Sequence, residues 1–236
     1  MNFTWFDHVT ATVLTLLIPW MAFRSAKISD DSFDMLPAKK HLFYTNGLML
    51  IIGALIILTA WNLSDRPWTI FTQWRPYIDS TSIILIAAIG LIYGFELLKG
   101  YWNKEYKYHK VKELQRFIPL TWSEYKHYIF LAFAAGIAEE TIYRGFLITY
   151  FQNILSSVEY ANIIAIIIPA LAFAISHSYQ GWSSVSKIFA IAVLLGGIYV
   201  QTGSLALAIL IHILIDLISG LVGIGFVASD TEPIDE

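Results

Sequence analysis

The stretch "SLALAILIHILIDLISGLVGIGF", residues 204–226, decides the fold. At 1.5 Å per residue a helix of this length crosses a hydrocarbon core of about 30 Å. The run is apolar around its whole helical circumference, whereas a helix resting on a water-soluble core keeps a polar face. His212 and Asp216 are its only ionisable side chains. They stand four residues apart and so share one face. Ionisable groups inside a span are costly, and they mark a functional site by default.

Working outward, six more runs of similar character lie near residues 8–24, 41–62, 82–99, 127–151, 161–177 and 187–202. The whole chain of 236 residues is 57% hydrophobic and 14% charged, against about 25% charged in soluble domains. The expectation is an all-α, polytopic transmembrane bundle of seven spans. Eight elements result if the fourth run divides or if residues 101–126 add an interfacial helix. Residues 1–124 form an N-terminal three-span region with a basic loop, 125–226 a four-span core, and 227–236 an acidic tail. The N-terminal segment lacks a basic leader and a small-residue cleavage site, so it reads as a retained span.

A net charge of −3 without a basic domain argues against nucleic acid as a partner. The absence of cysteine excludes disulfides, thiolate metal sites and cysteine nucleophiles. Basic residues collect in the first loop (Arg24, Lys27, Lys39, Lys40) and the third (Lys99, Lys104, Lys107, Lys110, Lys112, Arg116, Lys126). The second loop has Arg66 and Arg75 alone. The positive-inside rule then puts the N-terminus outside and, with seven spans, the C-terminus in the cytoplasm. Aromatic residues interleave with the lysines of the third loop, as in an interfacial helix held by anionic membrane lipid.

Ionisable groups well inside the spans fall in the C-terminal half: Glu139, Glu140 and Arg144 within "AGIAEETIYRGF", then His177, His212 and Asp216. Glu140 and Arg144 share a helix face and form an ion pair. Glu139 is turned away by about 100° and is left free for chemistry as a general base. Small residues before it (Ala132, Ala134, Ala135, Gly136, Ala138) permit close helix packing. Asp216, one turn from His212, is placed to fix the imidazole tautomer. Glu139 and His212 fall at similar depth on this topology, with His177 nearer the cytoplasm.

No H-E-x-x-H, no serine elbow and no pair of buried aspartates is present. What remains is a glutamate with two histidines. Such a set can activate water directly. It can also hold a divalent metal such as zinc through Glu139, His177 and His212, with water as the fourth ligand.

Three motifs together resemble the CPBP family, the CAAX-protease and bacteriocin-processing proteins also called the Abi family. They are E-E-x-x-x-R at Glu139, Glu140 and Arg144, F-x-x-x-H at Phe173 and His177, and H-x-x-x-N/D at His212 and Asp216. The resemblance covers residues 125–220. It implies a CPBP/Abi-type catalytic core in the C-terminal half and an intramembrane endopeptidase of the type II CAAX prenyl endopeptidase kind, by a glutamate or a metal route. By carry-over Glu139 is the water-activating base with His177 its partner, and His212 with residue 216 holds the oxyanion. Glu140, Arg144 and Phe173 support them. The substrate is a peptide or membrane protein, with prenylation of its C-terminus left open, and the location a bacterial plasma membrane. The eukaryotic endopeptidase carries asparagine where this chain has Asp216, and a carboxylate donates a hydrogen bond only when protonated. Two other readings compete: a non-catalytic scaffold or self-immunity protein, and a proton or ion pathway.

Overall fold

The computed structural model describes residues 1–25 and 37–228, and among them there are helices and no strand. Of the expected acidic tail, 229–236 lies outside the described residues, as does Lys27 of the first basic loop. The helices are α1 Trp5–Ser25, α2 Lys39–Leu63, a short α3 Thr69–Thr72, α4 Ser80–Trp102 and α5 Lys104–Leu114. α6 runs as Trp122–Glu140, a π-helical stretch Thr141–Ile148 and the closing turns Thr149–Ile154. α7 is Ala161–Ser176, α8 Trp182–Thr202 and α9 Leu205–Ala228.

Each of the seven apolar runs lies in one of these helices. Five are long and apolar enough to cross a membrane: α1, α2, α4, α8 and α9. The other two fall short for separate reasons. α7 has 16 residues, about 24 Å at the helical rise. α6 carries Glu139, Glu140 and Arg144 within its apolar length, so the charges that make it interesting also lower its apolarity. Several apolar helices of this kind fit a multi-pass integral membrane protein.

The distribution of side chains suits hydrocarbon outside. Large apolar groups such as Trp5, Leu16, Ile84, Leu91, Phe95 and Leu210 are exposed. The fully or nearly buried set includes Asp7, Arg66, Glu140, Arg144 and His212. Charge sits inside and hydrocarbon outside, the reverse of a soluble domain.

Local sequence explains the helix limits. Asp79 caps α4 by accepting from the backbone N–H of Ser82 at 2.8 Å, and these bonds to Ser82 hold its carboxyl below the ordinary carboxylate range. Asn103 and Thr121 cap α5 and α6 in the same way. α8 ends at Gly203, whose φ of +65° is left-handed and suits glycine. The chain therefore turns at once into α9.

α6 is central: α2 packs along one side and α9 along another. α8 packs on α7 and α4, and α1 covers α7. One apolar cluster joins Ala11, Leu14, Ala54, Ile57 and Trp61 of the N-terminal half to Ala138, Ile142, Phe146, Leu147, Ala170 and Phe173 of the C-terminal half. The first two helices thus share a core with the site-bearing helices.

Candidate functional site

The site begins where α6 approaches α9. A Cβ built on Gly136 would lie 2.4 Å from Ile213 Cγ1 and 3.2 Å from its backbone N, so glycine permits an approach that alanine would obstruct. One turn later come Glu139 and Glu140, opposite His212. The π-helical stretch follows at once, and all eight of its residues, Arg144 included, are buried. Such widened turns recur at functional sites.

Glu140 Oε1 accepts from Arg144 Nη1 at 2.8 Å, so the i,i+4 pair forms. The same oxygen accepts from His212 Nδ1 at 2.6 Å. Arg144 Nη2 donates to the backbone carbonyl of Ala192 on α8 at 3.2 Å, and its guanidinium lies 5.2 Å from the Phe173 ring centroid. The other carboxylate, Glu139, approaches the far side of the imidazole, with Oε2 3.6 Å from His212 Nε2. Asp216 Oδ2 is 3.7 Å from that same nitrogen. Both are ion-pair separations longer than a hydrogen bond. The bond that fixes the His212 ring therefore comes from Glu140 and not from Asp216, because Asp216 reaches only the opposite nitrogen.

His177 closes α7, and its Nδ1 donates to the Phe173 carbonyl at 2.8 Å. A carbonyl can only accept, so Nδ1 carries the proton and Nε2 keeps its lone pair. Phe173 stands between the two imidazoles, with ring centroids 4.5 Å from His177 and 6.1 Å from His212. Tyr143 packs edge-on against Phe173 at 4.9 Å, and Tyr179 lies 5.9 Å from His177. Glu139, Glu140, Arg144, Phe173, His177, His212 and Asp216 are thus brought into one neighbourhood, from α6, α7 and α9.

The side chains grade from sealed to accessible: Glu140 is 0% exposed, Arg144 3%, His212 8%, Glu139 13% and Asp216 25%. The ion pair is dry, and the other two carboxylates are the more exposed. Among the described residues no group of three or more His, Asp or Glu side chains has the arrangement to hold a metal ion. Each histidine spends Nδ1 on the protein, which leaves Nε2 as its nitrogen for a proton or a metal.

Three contributors have no signal in the sequence: the Ala192 carbonyl, Tyr143 and Tyr179. A backbone acceptor is invisible to residue type. The two tyrosines sit beside motif residues, and nothing in their spacing separates them from ordinary core aromatics.

Comparison with known proteins found no match among curated proteins or solved structures. Residues 121–218, the stretch from the N-cap of α6 to the middle of α9, match the family described as Type II CAAX prenyl endopeptidase Rce1-like, in agreement with the CAAX-protease resemblance of the three motifs.

Proposed function

We propose that the chain is an intramembrane endopeptidase that hydrolyses a peptide bond with water activated by Glu139 and His177, within the four-span core 125–226 of a seven-span protein. The observation that carries this reading is the convergence of Glu139 and Asp216 on the Nε2 side of His212, with Phe173 joining that imidazole to His177. Glu139, in its anionic form, takes a proton from water as the oxygen attacks the scissile carbonyl. His177, with its proton on Nδ1, offers the Nε2 lone pair to the same water. His212, as the imidazolium whose Nδ1–H is held by Glu140, donates from Nε2 to the oxygen that becomes negative, and residue 216 flanks it. The proton held by Glu139 then passes to the leaving amine, which closes the cycle. These steps are carried by protein groups and water.

The family description supports a C-terminal CAAX-type peptide as the first substrate to try. The charge distribution supports an outside N-terminus and a cytoplasmic C-terminus, since Arg66 of the outer loop is paired with Asp7 and adds no net charge there. A fluorogenic CAAX peptide, prenylated and unprenylated, tests activity in detergent or nanodiscs. Glu139→Gln is expected to lower kcat by on the order of 1,000-fold or more, since loss of a general base removes about 10²–10⁴. Undiminished cleavage by a well-folded Glu139→Gln variant would remove Glu139 from the chemistry.

A further inference from the structure

A buried i,i+4 ion pair needs no third member, yet Glu140 has one. Its Oε1 accepts from Arg144 Nη1 at 2.8 Å and from His212 Nδ1 at 2.6 Å. We infer that Glu140 is the positioning residue of His212: it holds the proton on Nδ1 and so aims Nε2 at the space between Glu139 and Asp216. The inference rests on the endopeptidase reading only for its effect on rate, and its structural content stands apart from that reading.

The argument is geometric. A carboxylate held by an arginine can only accept, so the short contact requires the proton on His212 Nδ1. An imidazole held by one nitrogen has its other nitrogen, and the plane of its ring, directed by that bond. Glu140 is itself immobile: it is fully buried, and Arg144 ties it to the Ala192 carbonyl on α8 at 3.2 Å. A chain of polar contacts thus runs from the α8 backbone through Arg144 and Glu140 to His212 on α9. Asp216 cannot replace Glu140 in this task, because it stands 3.7 Å from Nε2. The arrangement is that of a buried carboxylate orienting a catalytic imidazole, a role separable from folding.

Glu140→Met with Arg144→Met tests the idea, since a buried ion pair replaced by apolar groups of similar volume is frequently neutral or stabilising. The double variant removes charge and acceptor together, so neither partner is left as an isolated ion. Three measurements are read on the full chain in nanodiscs: thermal unfolding, ¹⁵N-histidine NMR with His212 assigned by difference against His212→Asn, and kcat and KM on the CAAX peptide. In the parent, His212 carries a proton on Nδ1. In the folded double variant that preference is lost, and kcat falls on the order of 100-fold, the effect of misplacing a reacting group by about an ångström. KM stays within about twofold, since binding contacts are untouched. Glu140→Gln with Arg144→Met keeps an acceptor oxygen for Nδ1 and recovers most of kcat.

A parent His212 without a proton on Nδ1 overturns the proposal, and so does a folded Met/Met variant with parental kcat. Should the Met/Met variant fail to fold, the parent spectrum and the Gln/Met variant still decide. If the parent cleaves no peptide, the endopeptidase reading fails, while the NMR result independently upholds or overturns the positioning of His212.

Discussion

Asp216 keeps a quarter of its side chain exposed, while Glu140 keeps none. A protonated carboxyl there gives a hydrogen bond to a forming oxyanion, as does an amide of the same length, whereas an ionised carboxylate can only accept. Asp216→Asn is therefore expected to keep kcat within about threefold of the parent. Asp216→Ala should lower it by about 100-fold or more, the usual loss with an oxyanion-hole donor. Steady-state kinetics on the CAAX peptide decides, and an Asn variant as slow as the Ala variant would show that the charge beside His212 is what matters. At this scale the sequence was informative wherever one helix supplied both partners. Glu140 and Arg144 meet because 3.6 residues make a turn. The bond from Glu140 to His212 joins residues 72 apart in the chain, and no periodicity encodes which carboxylate of an adjacent pair faces a neighbouring helix. Asp216 had the right spacing to orient His212, but the ring turns its Nδ1 the other way.

Elements carry a second layer of specificity. The apolar runs were legible as helices because a spanning helix must be apolar around its circumference, but two features of α6 were not. Its π-helical stretch has no compositional mark, and its full extent from 122 to 154 is hidden by charged residues inside and polar ones at its start. The contact between α6 and α9 depends on Gly136, foreseen only as one of several small residues. Ile213 is β-branched and stiff in a helix, and its Cγ1 would stand 2.4 Å from an added Cβ, so it cannot swing aside cheaply. Gly136→Ala is expected to cost about 1–3 kcal/mol of stability, as overpacking does. It should also slow cleavage more than tenfold, because separating α6 from α9 moves Glu139 and Glu140 relative to His212. Adding Ile213→Ala frees the space and should recover much of both. Thermal unfolding and kcat measured side by side check this; a Gly136→Ala protein with parental melting and rate would mean the helices tolerate the extra methyl.

For the whole molecule, the question is how helices far from the site hold it in place. Asp7 on α1 accepts from both terminal nitrogens of Arg66, a residue of the loop after α2, and from the backbone N–H and hydroxyl of Thr4 at 2.7 and 2.6 Å. The guanidinium packs against both Phe3 and Trp61, 4.8 and 4.9 Å from their ring centroids. Trp61 in turn meets Phe71 of α3 edge-on at 5.1 Å, and Phe71 fills the space above Gly145 in the π-helical stretch. Next to Asp7 on α1, His8 Nδ1 is 2.7 Å from the Tyr150 hydroxyl of α6. The N-terminal helix is thereby fastened to the helix that carries Glu139 and Glu140, through contacts on residues outside the three motifs. Asp7→Ala leaves a buried guanidinium without its carboxylate, and is expected to destabilise by about 3–5 kcal/mol. Asp7→Leu with Arg66→Met replaces the pair by apolar groups and should restore most of that loss. Because the clamp touches no reacting group, kcat of the double variant below its melting temperature should stay near parental. A lowered kcat in a protein of restored stability would instead mean that α1 tunes the site through Tyr150. Parental melting in Asp7→Ala would show that the pair does not hold α1 in place.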